Sequence, residues 1–390
     1  MATDEPASEH ALRASRTYGA AADHYRRAAL GFWDRFGAAT VSRLRLPPGG
    51  TVLDLCCGAG ASAIPAARAV GPAGTVLGID VAAPLLELAR ARAADEGLAN
   101  IEFRHGDATR TGLPDGGFDA VVCVFGVFFA PDMAAFAREM WRLTRPRGVL
   151  AVTTWGPGLF EPANSLFWRC LGEVEPALFK AFNPWDEITA PAALAGLFSR
   201  AGVPAPAVVA EAGQHRLDHP DRFWDIVLGS GYRATVDALS PEQRDQIRQS
   251  LLAELRAREI ACLRTDAVFG TAARPPEPAA DQAGNRDGQA ERDGRDGRAR
   301  ISEPQGQGGM AGEPGDDRRV DGAVKPVRRA LVREQGAEHR DEDRAASEQD
   351  TRPGTGGGGQ QGPAGPRAFH EPPREKSHHP IRACPVCLHR

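Results

Sequence analysis

An aspartate near the end of an apolar run, followed at once by small residues and glycines, is the pattern in this chain best suited to chemistry. The run is Val52, Leu53, Asp54, Leu55, Cys56, Cys57, Gly58, Ala59 and Gly60. Its apolar part suits a parallel strand covered on both faces. The glycines let the backbone come close to a ligand while a helix starts behind them. Free N–H groups at that helix start would face a carboxylate or a phosphate. Two further aspartates follow later apolar runs, Asp80 after Gly78 and Ile79, and Asp107 after Gly106. Three acids at three successive strand ends line one edge of a sheet, the edge at which open α/β sheets bind ligands.

Two ligand classes use such a turn. Gly58 to Ala63 satisfies the dinucleotide pattern G-x-G-x-x-G/A, and Asp80 stands twenty residues after Gly60, the spacing of a ribose-binding acid. A dinucleotide would bring a pyrophosphate to a turn where Asp54 already carries negative charge, and like charges that close in a partly dry site are costly. A ligand with an ammonium group and a sulfonium would be favoured by Asp54. A hydride-transfer enzyme would also need a second nucleotide-binding half or a hydride-accepting site, and the chain after Trp155 has neither pattern.

Over roughly residues 15 to 275 the chain resembles the class I S-adenosylmethionine-dependent methyltransferases. The resemblance rests on the acid and glycine turn at Asp54, Gly58 and Gly60, on Gly78-Ile79-Asp80-Val81, on Gly106-Asp107-Ala108, and on the run from Leu113 to Val122. Arg145-Pro146-Arg147-Gly148 resembles the Pro-Gly-Gly turn before the fifth strand, with Arg147 replacing a glycine, and Cys56 replaces the first glycine of the nucleotide turn. The Cys-Cys-Gly turn is similar to that of the methyltransferases of ubiquinone and menaquinone synthesis. The resemblance implies S-adenosylmethionine as cofactor. Asp54 would hold its ammonium end above the turn of Cys56, Gly58, Ala59 and Gly60. Asp80 would accept both ribose hydroxyls, and Asp107 the adenine amino group. Val81, Ala108, Val124 and Phe125 would line the adenine and methionine portions. In isolation each acid reads more readily as a helix cap or turn residue, whereas the three together, with strand-helix punctuation between them, favour the functional reading.

These residues require a Rossmann-like, doubly wound, seven-stranded α/β sheet. The expected order is a helix over 62–69, strand 75–80, helix 84–96, strand 101–107, strand 118–126, a helix whose apolar stripe is Met133, Phe136, Met140 and Leu143, and strand 148–155. Residues 207–212 and 264–273 supply the last two strands, which in the resembling family include one antiparallel member. Residues 1–50 read as a helical cap containing Tyr18, Tyr25, Phe32, Trp33 and Phe36, of the kind that in the family folds over bound cofactor. Residues 51–275 form the catalytic domain. Its inserts at about 157–190 and 218–258 are rich in aromatics and read as a lid over a small apolar or aromatic methyl acceptor, or equally as small satellite cores. Ser240, Pro241 and Gln243 form the signature of a capped helix start.

The chain has 390 residues, 42% of them hydrophobic, with a formal net charge of −4. That balance gives no basic excess for nucleic acid. The longest apolar run, Ala120 to Ala130, is too short to cross a bilayer. With no signal-peptide layout at the start and cysteines placed in strand patterns, a reducing cytoplasm is the expected location. Methyl transfer needs little beyond alignment. His24, His215, His219 and Glu161 are the candidate bases for a hydroxyl acceptor, and none is assigned. Residues 276–390 are rich in Arg, Asp, Glu, Gly, Gln and Pro and read as a disordered tail. Cys384 and Cys387, with His378, His379 and His389 nearby, supply half of a zinc framework, so no metal is expected. The alternatives left open are ring C-methylation of a quinone and binding of S-adenosylmethionine without catalysis. Oligomeric state is not legible.

Overall fold

The computed structural model describes residues 8–277. The expected tail and the Cys384/Cys387 cluster lie outside the described residues. The sheet is built on β1 (Thr51–Leu55), whose residues Val52 to Leu55 are all buried. β1 pairs in parallel with β2 (Thr75–Asp80) on one side and β4 (Phe118–Val124) on the other, and β3 (Ile101–His105) extends the sheet beyond β2. β5 (Thr144–Trp155) lies parallel to β4. Two later strands complete seven, β6 (Ala207–Glu211) and β9 (Ala267–Ala273), giving the order β3-β2-β1-β4-β5-β9-β6. β9 runs antiparallel to both β5 and β6, so it is the single reversed strand of a Rossmann-like sheet. The strand order reverses between β1 and β4, and that switch point is where the carboxyl ends of two strands diverge and leave a crevice.

Several strand boundaries depart from the sequence expectation: β4 ends at Val124, β5 starts at Thr144 and β6 ends at Glu211, and two further departures have a visible cause. Residues 264–273 do not form one strand. β8 (Cys262–Arg264) pairs instead with β7 (Gln214–Arg216) in a separate ribbon. Asp266 marks the break, accepting hydrogen bonds from the Gly213 N–H at 2.9 Å and Arg264 Nε at 2.6 Å, and these tie the corner between ribbon and sheet. Asp107 lies two residues past β3 rather than at its end, because its carboxylate turns back to accept from Thr109 N and Oγ1. Such a local side-chain turn competes with strand pairing.

Helices cover both faces: α1 (Glu9–Ala21), α2 (Phe32–Ser42), α3 (Ala63–Val70), α4 (Ala83–Asp95), α5 (Met133–Leu143), α6 (Ala163–Val174), α7 (Pro191–Arg200), α8 (Phe223–Leu228), α9 (Arg233–Val236) and α10 (Pro241–Ala257). The local chemistry of their starts is as the residue types require. Ser8 Oγ accepts from Ala11 N at the start of α1, Asp132 caps α5, and Ser240 and Gln243 form the reciprocal capping box of α10. The 157–190 and 218–258 inserts are helical, and α6 of the first packs on α10 of the second. Most of their aromatics are core: Phe160, Phe167, Trp168, Phe223 and Trp224 are buried in the same cluster as β5 and β9. Phe179 and Phe182 are the exceptions, about half exposed at 50% and 56%.

Among the described residues no helix is long and apolar enough to cross a membrane, and no group of three or more His, Cys, Asp or Glu side chains is placed to hold a metal ion.

Candidate active site

Where the β1 turn meets the exit of β4, the structure has a cavity of about 940 Å³ including its open mouth. Cys56, Gly58, Asp80, Val81, Asp107, Ala108, Val124 and Phe125, all picked out from the sequence, line it. Ala59, Gly60 and Asp54 do not. Ala59 and Gly60 lie beneath the turn, with the Ala59 carbonyl accepting from Arg92 Nη1 at 2.8 Å. Asp54 is 1% exposed and reaches the cavity wall only through Ser62, whose Oγ–H donates to its Oδ2 at 2.7 Å.

The turn is tight enough to constrain its residues. Cys56, which replaces a family glycine, takes a left-handed backbone conformation at φ 60°, and so does Arg147 at φ 64°, the other substituted glycine. The conformation therefore survives both replacements, at a cost that a glycine would avoid. Gly126 brings the exit of β4 against Cys56. A Cβ there would lie 2.8 Å from Cys123 Sγ and 2.9 Å from Cys56 Sγ. Phe125 beside it is also left-handed, at φ 55°, and its ring stacks on Trp155 at 3.6 Å between centroids. Strained bulky residues of this kind concentrate at ligand sites.

Electrostatically the cavity wall is one-sided. Among the described lining residues, Asp80 and Asp107 are acidic and none is basic. Burial pushes the Asp54 carboxyl up to about 7, a rise that the Ser62 hydroxyl and the Ala63 backbone N–H oppose and the Asp80 charge reinforces. Asp54 Oδ1 is buried with no hydrogen-bond partner. Asp80 is also raised, again chiefly by burial, although its Oδ2 accepts from Gly58 N and its Oδ1 from Ala82 N, both at 2.8 Å. Asp107 is held by Thr109 and by Ser8 Oγ–H at 3.2 Å, so the cap of α1 is fastened to the β3 side of the cavity. The Cys56 thiol is pushed well up by its hydrogen bond with Cys123 and by burial, and the Cys57 thiol by burial, so neither is a thiolate nucleophile at neutral pH.

The amino-terminal segment closes the cavity from above with Ser8, Ala11, Ala14, Tyr18, Tyr25 and Trp33. The aromatics of this segment stand out in the sequence. Ser8, Ala11 and Ala14 carry no local signal, since small residues on a helix face have many uses. Tyr25 stacks on Trp33 with rings 5.7 Å apart and nearly parallel, and Tyr18 meets Phe129 edge-on at 5.4 Å.

Tyr18 and Trp33 also border a second cavity of about 500 Å³. Its walls are largely aromatic, with Phe128, Trp155, Phe160, Trp168, Trp185 and Tyr232, and its polar groups include Lys180, Asn183, Ser230 and Thr235. The Tyr232 hydroxyl donates to Asn164 Oδ1 at 2.6 Å, and Asn164 Nδ2 donates in turn to Glu161 Oε1 at 3.0 Å.

None of the four candidate bases lines either cavity. His24 Nδ1 is beside Asp23 on the surface, and His219 accepts from Asp221 N at the start of a short 3₁₀ turn. Burial holds His215 below the usual imidazole range, with Nε2 2.8 Å from the Ala29 carbonyl. Glu161 is taken up by Asn164 and Ser165 at the start of α6.

Comparison with known proteins bears on the same region. Residues 52–148 match the family described as methyltransferase domain. Nocamycin O-methyltransferase of Saccharothrix syringae is 37% identical over 226 residues, which cover 54% of this chain and 79% of that protein. The chain belongs to the class I S-adenosylmethionine-dependent methyltransferases. Demethylmenaquinone methyltransferases also align with it. That of Lactococcus lactis is 34% identical over 152 residues, covering 38% of this chain and 59% of its own length, and one from Listeria monocytogenes is 29% identical over 191 residues, covering 46% and 81%. The methyltransferase takes its methyl group from S-adenosylmethionine. A buried carboxylate oxygen without a partner, a second acid at the next strand end and a wall free of cations fit a cofactor that carries ammonium and sulfonium charge.

Proposed function

We propose that this methyltransferase moves a methyl group to a small apolar or aromatic acceptor seated in the second cavity, in line with the cofactor in the first. The observation that carries this reading is that the two cavities share Tyr18 and Trp33, so their contents would meet across those two side chains.

S-adenosylmethionine supplies an electrophilic methyl on sulfur, and the rest falls to the protein. Asp54 would hold the ammonium end, directly or through water, with its unpartnered Oδ1 as the acceptor. Asp80, which already serves the Gly58 and Ala82 N–H groups, has two carboxylate oxygens that would accept the ribose hydroxyls. Asp107, with Val81 and Ala108 beside it, would bound the adenine. Cys56, Gly58, Ala59 and Gly60 shape the floor, and Val124 and Phe125 the methionine side. The segment up to residue 50 acts as a cap on the cofactor, while the inserts at about 157–190 and 218–258 carry the acceptor pocket. The aromatic faces of Tyr18 and Trp33 would steady positive charge on sulfur through cation–π attraction. Alignment and exclusion of water then provide most of the acceleration, and no carboxylate or imidazole among the described residues lines the second cavity.

The demethylmenaquinone methyltransferases among the relatives, and the Cys56-Cys57-Gly58 turn, make a hydroquinone ring carbon the second acceptor to test. The experiment is calorimetric titration of the full chain with S-adenosylhomocysteine against NAD, followed by turnover with a panel of hydroxylated aromatics, aromatic acids and hydroquinones. Tight S-adenosylhomocysteine binding with turnover of any panel member supports the proposal. Binding without turnover of any acceptor points to a non-catalytic binding protein, and a response to NAD instead overturns the assignment of the cavity.

A further inference from the structure

Lys180 is the one charged side chain among the described residues that line the second cavity, and no carboxylate or imidazole lines it. Its ammonium donates to Thr235 Oγ1 at 3.1 Å, bridging the loop after α6 to α9. No described carboxylate forms an ion pair with it. Although Lys180 as a whole residue is exposed, desolvation of its ammonium and, second, the charge of Arg13 hold it below the usual lysine range, a shift that an anion beside it would offset. The polar groups deeper in the wall point to the same chemistry. Trp33 Nε1–H is buried without an acceptor, and the Tyr232 hydroxyl is committed as a donor to Asn164. The pocket thus combines aromatic walls and a cation with no described carboxylate or imidazole to take a proton.

We infer that the acceptor is an aromatic or hydrophobic molecule already ionised at neutral pH, a carboxylate or an acidic enolate or phenolate, whose charge pairs with Lys180 and whose oxygen is the site methylated. This rests on the functional reading given above and narrows its acceptor class. The anionic oxygen contributes a lone pair to form the new O–CH₃ bond as the S–CH₃ bond breaks, with that bond's electron pair remaining on sulfur. The negative charge on oxygen and the positive charge on sulfur cancel, giving a neutral ester or ether and a neutral thioether. No proton moves, so such an acceptor needs no base. Ring C-methylation of a hydroquinone would release a proton from carbon, and no described carboxylate or imidazole lines this cavity to receive it. Lys180 would act as a binding residue, drawing the anion in and orienting it, while Trp33 and the aromatic walls exclude water.

The test uses the full chain saturated with S-adenosylhomocysteine, so that cofactor binding is read first and separately. Benzoate, 1-naphthoate and 2-naphthoate are then titrated beside their neutral carboxamides into wild type, Lys180→Met and Lys180→Arg. At least one acid should bind wild type more tightly than its amide. Lys180→Met should weaken that acid about tenfold, the worth of one charge-assisted hydrogen bond, while leaving the amide unchanged, and Lys180→Arg should restore most of the loss. If no acid is preferred over its amide, or if Lys180→Met weakens acid and amide alike, the inference is overturned even though S-adenosylhomocysteine still binds. Failure of S-adenosylhomocysteine to bind wild type would instead overturn the functional reading beneath it.

Discussion

Replacing Asp54 by asparagine separates the cost of burying its charge from the benefit of that charge to the ligand. In the folded protein the carboxyl is buried at 1% exposure and titrates at about 7, against an ordinary aspartate value of 3.8. Between those two values the native state binds more protons than the unfolded chain, so the contribution of Asp54 to stability falls as pH rises through that window and is constant above it. About three pH units at 1.36 kcal/mol each make the ionised group roughly 4 kcal/mol less favourable at pH 8 than the protonated group is at pH 4. Asparagine cannot ionise, and its carboxamide oxygen can still accept from Ser62. The stability of Asp54→Asn relative to wild type, measured by urea unfolding without ligand, should therefore increase by up to about 4 kcal/mol from pH 4 to pH 8. Any fixed packing penalty of the substitution cancels in that comparison. Ligand binding should show the opposite effect. An ammonium placed on Asp54 Oδ1 draws the carboxyl back toward its ionised form, so S-adenosylhomocysteine binding near pH 7 should release part of a proton, seen as a heat that varies with buffer in wild type and not in the variant. A stability difference that is flat with pH would refute the buried-charge argument. Wild-type heats that ignore the buffer would refute the placement of the ammonium.

Other expectations follow from the same geometry. Asp80→Ala removes the acceptor of the Gly58 and Ala82 N–H groups as well as the proposed ribose partner, and should weaken S-adenosylhomocysteine by roughly 1–3 kcal/mol in calorimetry; unchanged affinity would place the ribose elsewhere. Gly37→Ala puts a methyl into the Ala61 carbonyl where α2 crosses the nucleotide turn. Although alanine favours the helix, the variant should lose about 2 kcal/mol in denaturant unfolding, and S-adenosylhomocysteine affinity should fall with it. Arg147→Gly relieves a left-handed arginine in the turn within β5 and should raise stability by roughly 0.5–1 kcal/mol, with a decrease pointing to a side-chain contact that outweighs the strain.

Much of the fold was legible because its signals are local. Apolar runs mark β1, β2 and β4, the four-residue stripe of α5 repeats at helical spacing, and Ser240, Pro241 and Gln243 announce α10 two residues at a time. Boundaries moved where side chains compete with the backbone for hydrogen bonds, as at Asp107 after β3 and Asp266 before β9. The insert aromatics illustrate a different limit. Phe167 and Trp185 are equally aromatic in sequence, yet the first is in the core and the second lines a cavity, because burial depends on which helix packs alongside.

The sequence by itself determined the alternation of strand and helix, the acid and glycine turn, and hence the class of cofactor, since these depend on backbone preferences and on residues close together in the chain. Tertiary structure alone decided how those parts act together. It buried Asp54 with Oδ1 unpartnered, brought Ser8 to Asp107 across 99 residues, and set Lys180 on Thr235 in the wall of a second cavity. Those features arise from desolvation and from contacts between distant segments, and neither the type of a residue nor its neighbours in the chain encodes them.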